Sequence, residues 1–145
     1  MKFTFTKKER LCSRKLIELL FLSGKTVTAF PFRIKYHLLP TTDAIPLQVM
    51  FSIPKKMFKR AVKRNLVRRR AKEVFRLNKH ILYENIPENH KLILAFIYSD
   101  NKIHNFEIIE KEVIKGIEKT IKKIKSGVSE LNETKQNGIM ESGFI

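Results

Sequence analysis

"FSIPKKMFKRAVKRNLVRRRAKEVFR", residues 51–76, decides how the rest of the chain is read. It opens as the apolar end of a strand and breaks at Pro54, because proline cannot continue a sheet ladder. From residue 60 the apolar positions change to helical spacing. Val67, Ala71, Val74 and Asn78 share one face, with Val62 and Phe75 at its flanks. Arg60, Arg64, Arg68, Lys72 and Arg76 follow one another at four-residue steps. Each step rises about 6 Å, close to the spacing of phosphates along a nucleic-acid strand. Residues 54–80 hold twelve Lys or Arg against one acid, Glu73, a charge of +11. Like charges stacked at i, i+4 destabilise an isolated helix. A sequence seeking only solubility would mix the signs. The helix is therefore expected to bury one side and to present cations to a polyanion on the other. Arginine's planar fork suits phosphates and base edges.

Composition agrees. The chain has 145 residues, 43% of them hydrophobic, which suffices for one domain with a real core. Its 30 Lys and Arg outnumber 14 Asp and Glu, giving a formal +16. Such a balance speaks of partners rather than fold, with nucleic acid first and an anionic membrane surface second. Cys12 is the single cysteine, so an intramolecular disulfide is excluded and a reducing compartment fits. MKFTFTKKERL lacks the apolar run of a signal peptide. LILAFIY, 92–98, is too short to span a bilayer. A soluble, cytoplasmic protein is expected.

Outward from the basic helix the elements alternate. Ser13 can cap a first helix whose apolar face is Leu16, Ile17, Leu19, Leu20 and Phe21, with Gly24 ending it. Thr6 with Glu9 offers an earlier capping box, and both starts remain open. FPFRIKYHL, 30–38, alternates Phe30, Phe32, Ile34, Tyr36 and Leu38 with Pro31, Arg33, Lys35 and His37, as a half-buried strand with a basic second face. LQVMFSI, 47–53, is a second strand, and the basic helix runs from 60 to about 82. KLILAFIY, 91–98, reads as a strand covered on both faces. Asn105 caps a last helix with the stripe Phe106, Ile109, Val113, Ile117, Ile121 and Ile124. The pairs Glu107–Lys111 and Glu118–Lys122 are expected on its wet side. From Ser126 apolar density falls, and residues 126–145 read as a disordered tail after a domain of residues 1–125.

Three pieces of this sequence resemble the protein subunit of bacterial ribonuclease P. ERL followed by IELLFLSG is similar to that family's first helix. FSIPKKMFKRAVKRN is similar to its strand, Lys-Lys turn and "AVKRN" helix start, and RRAKEVFRLNK to the continuation. The resemblance covers roughly residues 9–125. It implies a single-domain α+β fold, a two-layer α/β sandwich. A mixed sheet of about four strands carries packed helices and a left-handed βαβ crossover, against the usual right-handed rule. It implies an RNA-binding subunit that assists a catalytic RNA in removing the 5′ leader from precursor tRNA. No cofactor is held tightly by the protein, and magnesium acts in the ribonucleoprotein complex. Lys55, Lys56, Arg60, Arg64, Asn65, Arg68, Arg69, Lys72 and Arg76 are the implied RNA-binding residues. Phe21, Arg33, Lys35 and Tyr36 are the leader-cleft candidates. Strand aromatics beside Arg33 and Lys35 suit base stacking, though core packing claims most of them. The chain departs from the family at Leu66, where an Arg is usual, and at Arg70, where an aliphatic is common. The turn at 57–60 is one residue longer, Ile17 replaces a frequent Phe, and Lys35 stands near a position often aromatic.

No catalytic constellation stands in the protein itself. His37, His80, His90 and His104 are scattered and lack ligand spacing with Cys12. The acids of the last helix have lysines beside them. Catalytic and metal residues are therefore expected to be none. Rival readings are a structural rRNA-binding protein without a catalytic partner, a DNA-reading helix, and a membrane-surface helix. Against DNA, a strand rather than a short helix precedes residue 60. Against a membrane, the apolar face lacks Trp and Leu character.

Overall fold

The computed structural model describes residues 6–42 and 44–141, with side chains given to residue 126. A short 3-10 turn, Lys7–Glu9, precedes α1, Arg14–Ser23. Both capping readings hold, at different elements. The Ser13 hydroxyl accepts from Leu16 N–H at 3.4 Å and starts α1, while Glu9 accepts from Thr6 N–H at 2.9 Å across the 3-10 turn. Gly24 follows α1 in an ordinary extended conformation, with φ −71°. Room, not φ, requires glycine there: a Cβ would lie 2.2 Å from the Leu20 carbonyl oxygen.

Four strands follow: β1, Lys25–Ala29; β2, Phe32–Pro40; β3, Leu47–Ser52; and β4, His90–Tyr98. Helix α2, Ala61–Tyr83, separates β3 from β4, and α3, Phe106–Glu141, closes the chain. The sheet order is β1-β2-β4-β3. β1–β2 and β2–β4 are antiparallel, and β3–β4 is parallel, so α2 is the crossover of a βαβ unit. The sheet is mixed and four-stranded, and the domain is α+β.

Side-chain alternation assigns the two faces. Val27, Ala29, Phe32, Ile34, Tyr36, Leu47, Val49, Phe51, Leu92, Leu94, Phe96 and Tyr98 join α2 and α3 in the main core. Ile93 and Ala95 look the other way and bury Leu11 and Leu20 beneath α1. β4 is thus covered on both faces, as its unbroken apolar run requires. Phe51 stacks on Phe96 at 5.3 Å between ring centroids, and Phe75 of α2 meets Phe96 edge-on at 5.7 Å.

Some elements differ from the sequence reading. β1 gives little signal in the sequence, because KTVTA carries only Val27 and Ala29 on its buried face. The strand placed at 30–38 begins at Phe32; Phe30 and Pro31 form the turn of the β1–β2 hairpin, and Phe30 is 57% exposed. The helix backbone runs on to Glu141, over most of the stretch whose composition reads as a tail. The pairs Glu107–Lys111 and Glu118–Lys122 are not among the ion pairs formed by the described residues.

Candidate nucleic-acid interface

Helix α2 buries Val67, Ala71, Val74, Phe75, Lys79 and Leu82. Val62, placed at a flank by spacing, is 78% exposed. Four-residue steps overshoot a full turn by about 40°, so a basic row winds around the helix. It leaves the core-facing side near Arg64 and reaches the solvent side by Arg76. Arg64, Arg68, Lys72 and Arg76 are nevertheless all half-buried, while Asn65 and Arg69 stand exposed beside them. The basic surface is a spiral band, not a straight ladder.

The members of that band differ in what else they hold. Arg64 Nη1 donates to the carbonyls of Phe58 at 2.7 Å and Lys59 at 2.9 Å, so it fastens the turn before α2. Arg68 Nη1 donates to Asn65 Oδ1 at 2.8 Å. Arg76 pairs with Glu73 at 2.6 Å, and that hydrogen bond lowers the Glu73 pKa. Arg70 Nη1 donates to the His104 carbonyl at 2.8 Å and ties α2 to the loop before α3. Lys55, Lys56 and Arg60 are exposed in the turn.

The start of α2 is itself anion-seeking. Arg60 occupies the N-cap without a side-chain cap bond, and the first turn holds no acid. Free N–H groups, the positive end of the helix dipole and the lysines of the turn converge there. Further along, burial and then the charges of Arg10 and Arg68 push the Lys72 pKa down. The charge of Arg10 is thus felt by the basic band, which its position in the sequence does not announce. Its backbone bridges to Val49 of β3.

The other candidates lie on the sheet face under α1. Arg33 and Lys35 project there, and the Lys35 ammonium sits 5.4 Å from the Phe21 ring centroid and 3.2 Å from its carbonyl. Phe21 is 40% exposed. Tyr36 does not join them: alternation turns it to the opposite face, into the main core, where burial raises its pKa. Among the described residues no three His, Cys, Asp or Glu side chains gather as metal ligands. Among them also, no helix is long and apolar enough to cross a membrane.

Comparisons with known proteins agree with this arrangement. The family model described as Ribonuclease P matches residues 5–122. The "Ribonuclease P protein component" of Porphyromonas gingivalis is 34% identical over 116 residues, covering 79% of this chain and 85% of its own. That of Chlorobaculum tepidum is 39% identical over 59 residues, 37% of this chain and 38% of its own. Among solved structures, a Staphylococcus aureus RNase P protein mutant superposes with TM-score 0.62 at 18% identity, covering 79% of this chain and 89% of that one. The RNase P protein of Thermotoga maritima gives 0.57 at 20% identity, covering 74% and 93%. With an uncapped basic helix on a mixed sheet, and with this match along most of its length, the chain belongs to the ribonuclease P protein family.

Proposed function

We propose that this chain is the RNA-binding subunit of a ribonuclease P, which assists a catalytic RNA in endonucleolytic removal of the 5′ leader from precursor tRNA. The observation that carries the reading is the N-terminal half of α2: an uncapped helix start inside a lysine turn, followed by a spiral of cations with Glu73 as its single acid. Lys55, Lys56, Arg60, Asn65, Arg68, Arg69, Lys72 and Arg76 contact the catalytic RNA, and Arg64 both contacts it and holds the turn. Phe21, Arg33 and Lys35 meet the leader on the α1 side of the sheet. The RNA carries out hydrolysis with magnesium bound in the complex, leaving a 5′-phosphate on the tRNA. Residues 1–125 form the working domain, and its place of action is the cytoplasm.

Reconstitution tests this. Purified protein added to a bacterial catalytic RNA at low magnesium should stimulate leader cleavage, and protein alone should cleave nothing. Binding to rRNA without any stimulation would favour a structural rRNA-binding role instead.

A further inference from the structure

The sheet edge farthest from β3 carries a basic pocket that the proposed function leaves unused. A cavity of about 370 Å³ lies between β1 and α3, lined by Thr26, Val27, Thr28, Lys119, Lys122 and Lys123. Its position follows from Gly116. A Cβ there would lie 2.2 Å from Ile34 Cδ1 and 3.3 Å from Ala29 Cβ, so only glycine lets α3 settle this close to the hairpin. One turn later Lys119 reaches the strand, and its Nζ donates to the Thr28 carbonyl at 2.9 Å.

That bond also orients the strand. A residue in a β-strand sends its N–H and C=O to the same side, and alternate residues repeat the direction. With Thr28 O turned outward to Lys119, the N–H groups of Thr26 and Thr28 point out of the sheet as well. Among the described residues no strand pairs with β1 on that side. Lys122 and Lys123 enter none of the ion pairs among the described residues, and no acid lines the cavity. Edge protection by lysine accounts for Lys119. It does not account for a cavity lined by two more lysines beside two outward-pointing backbone donors.

The pocket is continuous with the α1 face. Thr28 pairs with Arg33 and Thr26 with Lys35 across the hairpin. Directly opposed residues share a face with Cβ atoms about 5 Å apart. A strip of donors therefore runs from Lys122 and Lys123, over the two threonines, to Arg33 and Lys35. It lies three strand spacings from β3, or about 14 Å.

We propose that the β1 edge and α3 form a second RNA site, which takes backbone phosphates of single-stranded leader running off the Arg33–Lys35 face. This rests on the function proposed above. An open groove lined by lysines and backbone N–H groups suits the phosphates of one flexible strand.

The test uses the holoenzyme with two precursor tRNAs that differ only in leader length, the short one serving as reference. Lys122→Ala/Lys123→Ala is compared with the wild type after a thermal melt confirms folding; both side chains are exposed. The affinity advantage of the long leader should fall on the order of tenfold. Its salt slope should fall by about 1.4, since two phosphates of a single strand are then no longer neutralised by the protein. An equal loss for both substrates would place the lysines on another part of the RNA and overturn the proposal. An unchanged affinity ratio would show solvated lysines and overturn it too. Failure of the wild-type protein to stimulate short-leader cleavage would instead refute the subunit function.

Discussion

Lys79 and Glu9, 70 positions apart, close a buried ion pair, with Lys79 Nζ 2.8 and 2.9 Å from the two carboxylate oxygens. Tyr83 donates its hydroxyl to the same carboxylate at 2.6 Å, and Thr6 N–H adds another bond at 2.9 Å. The cluster clamps the N-terminal segment to α2, and the charge of Arg10, the next residue, acts on Lys72. An ion pair deep in α2 is thus coupled to the shape of the proposed RNA surface.

The first prediction concerns this pair. Glu9→Ala leaves the Lys79 ammonium buried without its carboxylate and should cost about 3 kcal/mol in urea unfolding. Glu9→Gln/Lys79→Met removes both charges and should recover part of that loss. Burial alone would raise the Glu9 pKa, but bonds from Lys79, Thr6 and Tyr83 hold it below its ordinary 4.5. A carboxylate with a depressed folded pKa stabilises fully above its unfolded value and loses that contribution as pH falls through the folded one. Stability of the wild type should therefore drop below pH 4.5 more steeply than that of the double variant. Parallel acid-unfolding curves would contradict this.

The second separates two arginines on one helix. Arg64 holds two carbonyls of the turn, while Arg69 is exposed with no such duty. Arg64→Ala should lower stability by about 1 kcal/mol and also weaken RNA binding. Arg69→Ala should leave the melt unchanged and reduce the salt slope of RNA binding by about 0.9, the effect of one phosphate. Equal melts for the two variants would remove the structural role given to Arg64.

Much of this is legible in the sequence because it is local. The caps at Ser13 and Asn105 are used, with Asn105 Oδ1 accepting from Ile108 N–H at 2.9 Å. The α2 stripe at Val67, Ala71 and Val74 is fully buried. Tyr36, a cleft residue by family resemblance, shares its alternation phase with Phe32 and Ile34, and that phase decides its place in the core. Other features depend on long-range pairing, which periodicity does not carry. In the sequence Glu9 reads as a capping residue alone, although its carboxylate also holds Lys79. Arg10 gives no signal, and the apolar stripe of α3 does not single out Gly116.

The third prediction tests that glycine. Alanine at 116 gains helix propensity of about 1 kcal/mol. Its methyl group would collide with Ile34 Cδ1, and Ile34 is fully buried. Overpacking of this kind costs about 1–3 kcal/mol, so Gly116→Ala should destabilise on balance. Ile34→Val deletes the colliding carbon. The double variant Gly116→Ala/Ile34→Val should be more stable than the sum of its single effects, as a double-mutant cycle would measure. Simple additivity would show that α3 is not held against the hairpin in the way described.

The last prediction addresses Leu66, where this chain departs from the Arg usual in the family. Leu66 is half-buried on α2, and it is absent from the apolar residues packed against the main core. Its neighbour Val67 is fully buried, so the boundary of the core falls between the two positions. An arginine stem can cover apolar surface while its guanidinium reaches water. Leu66→Arg should therefore change stability by no more than about 1 kcal/mol. It adds a cation between Asn65 and the Arg68–Asn65 hydrogen bond on one side and Arg70 on the other. Affinity for the catalytic RNA should hold or rise, and the salt slope should grow if the new group meets a phosphate. Two measurements on one variant decide the matter. A large fall in melting temperature would make Leu66 a core residue and remove it from the RNA surface. A stable variant that binds more weakly would mean that the facing RNA has lost the group that an arginine would meet.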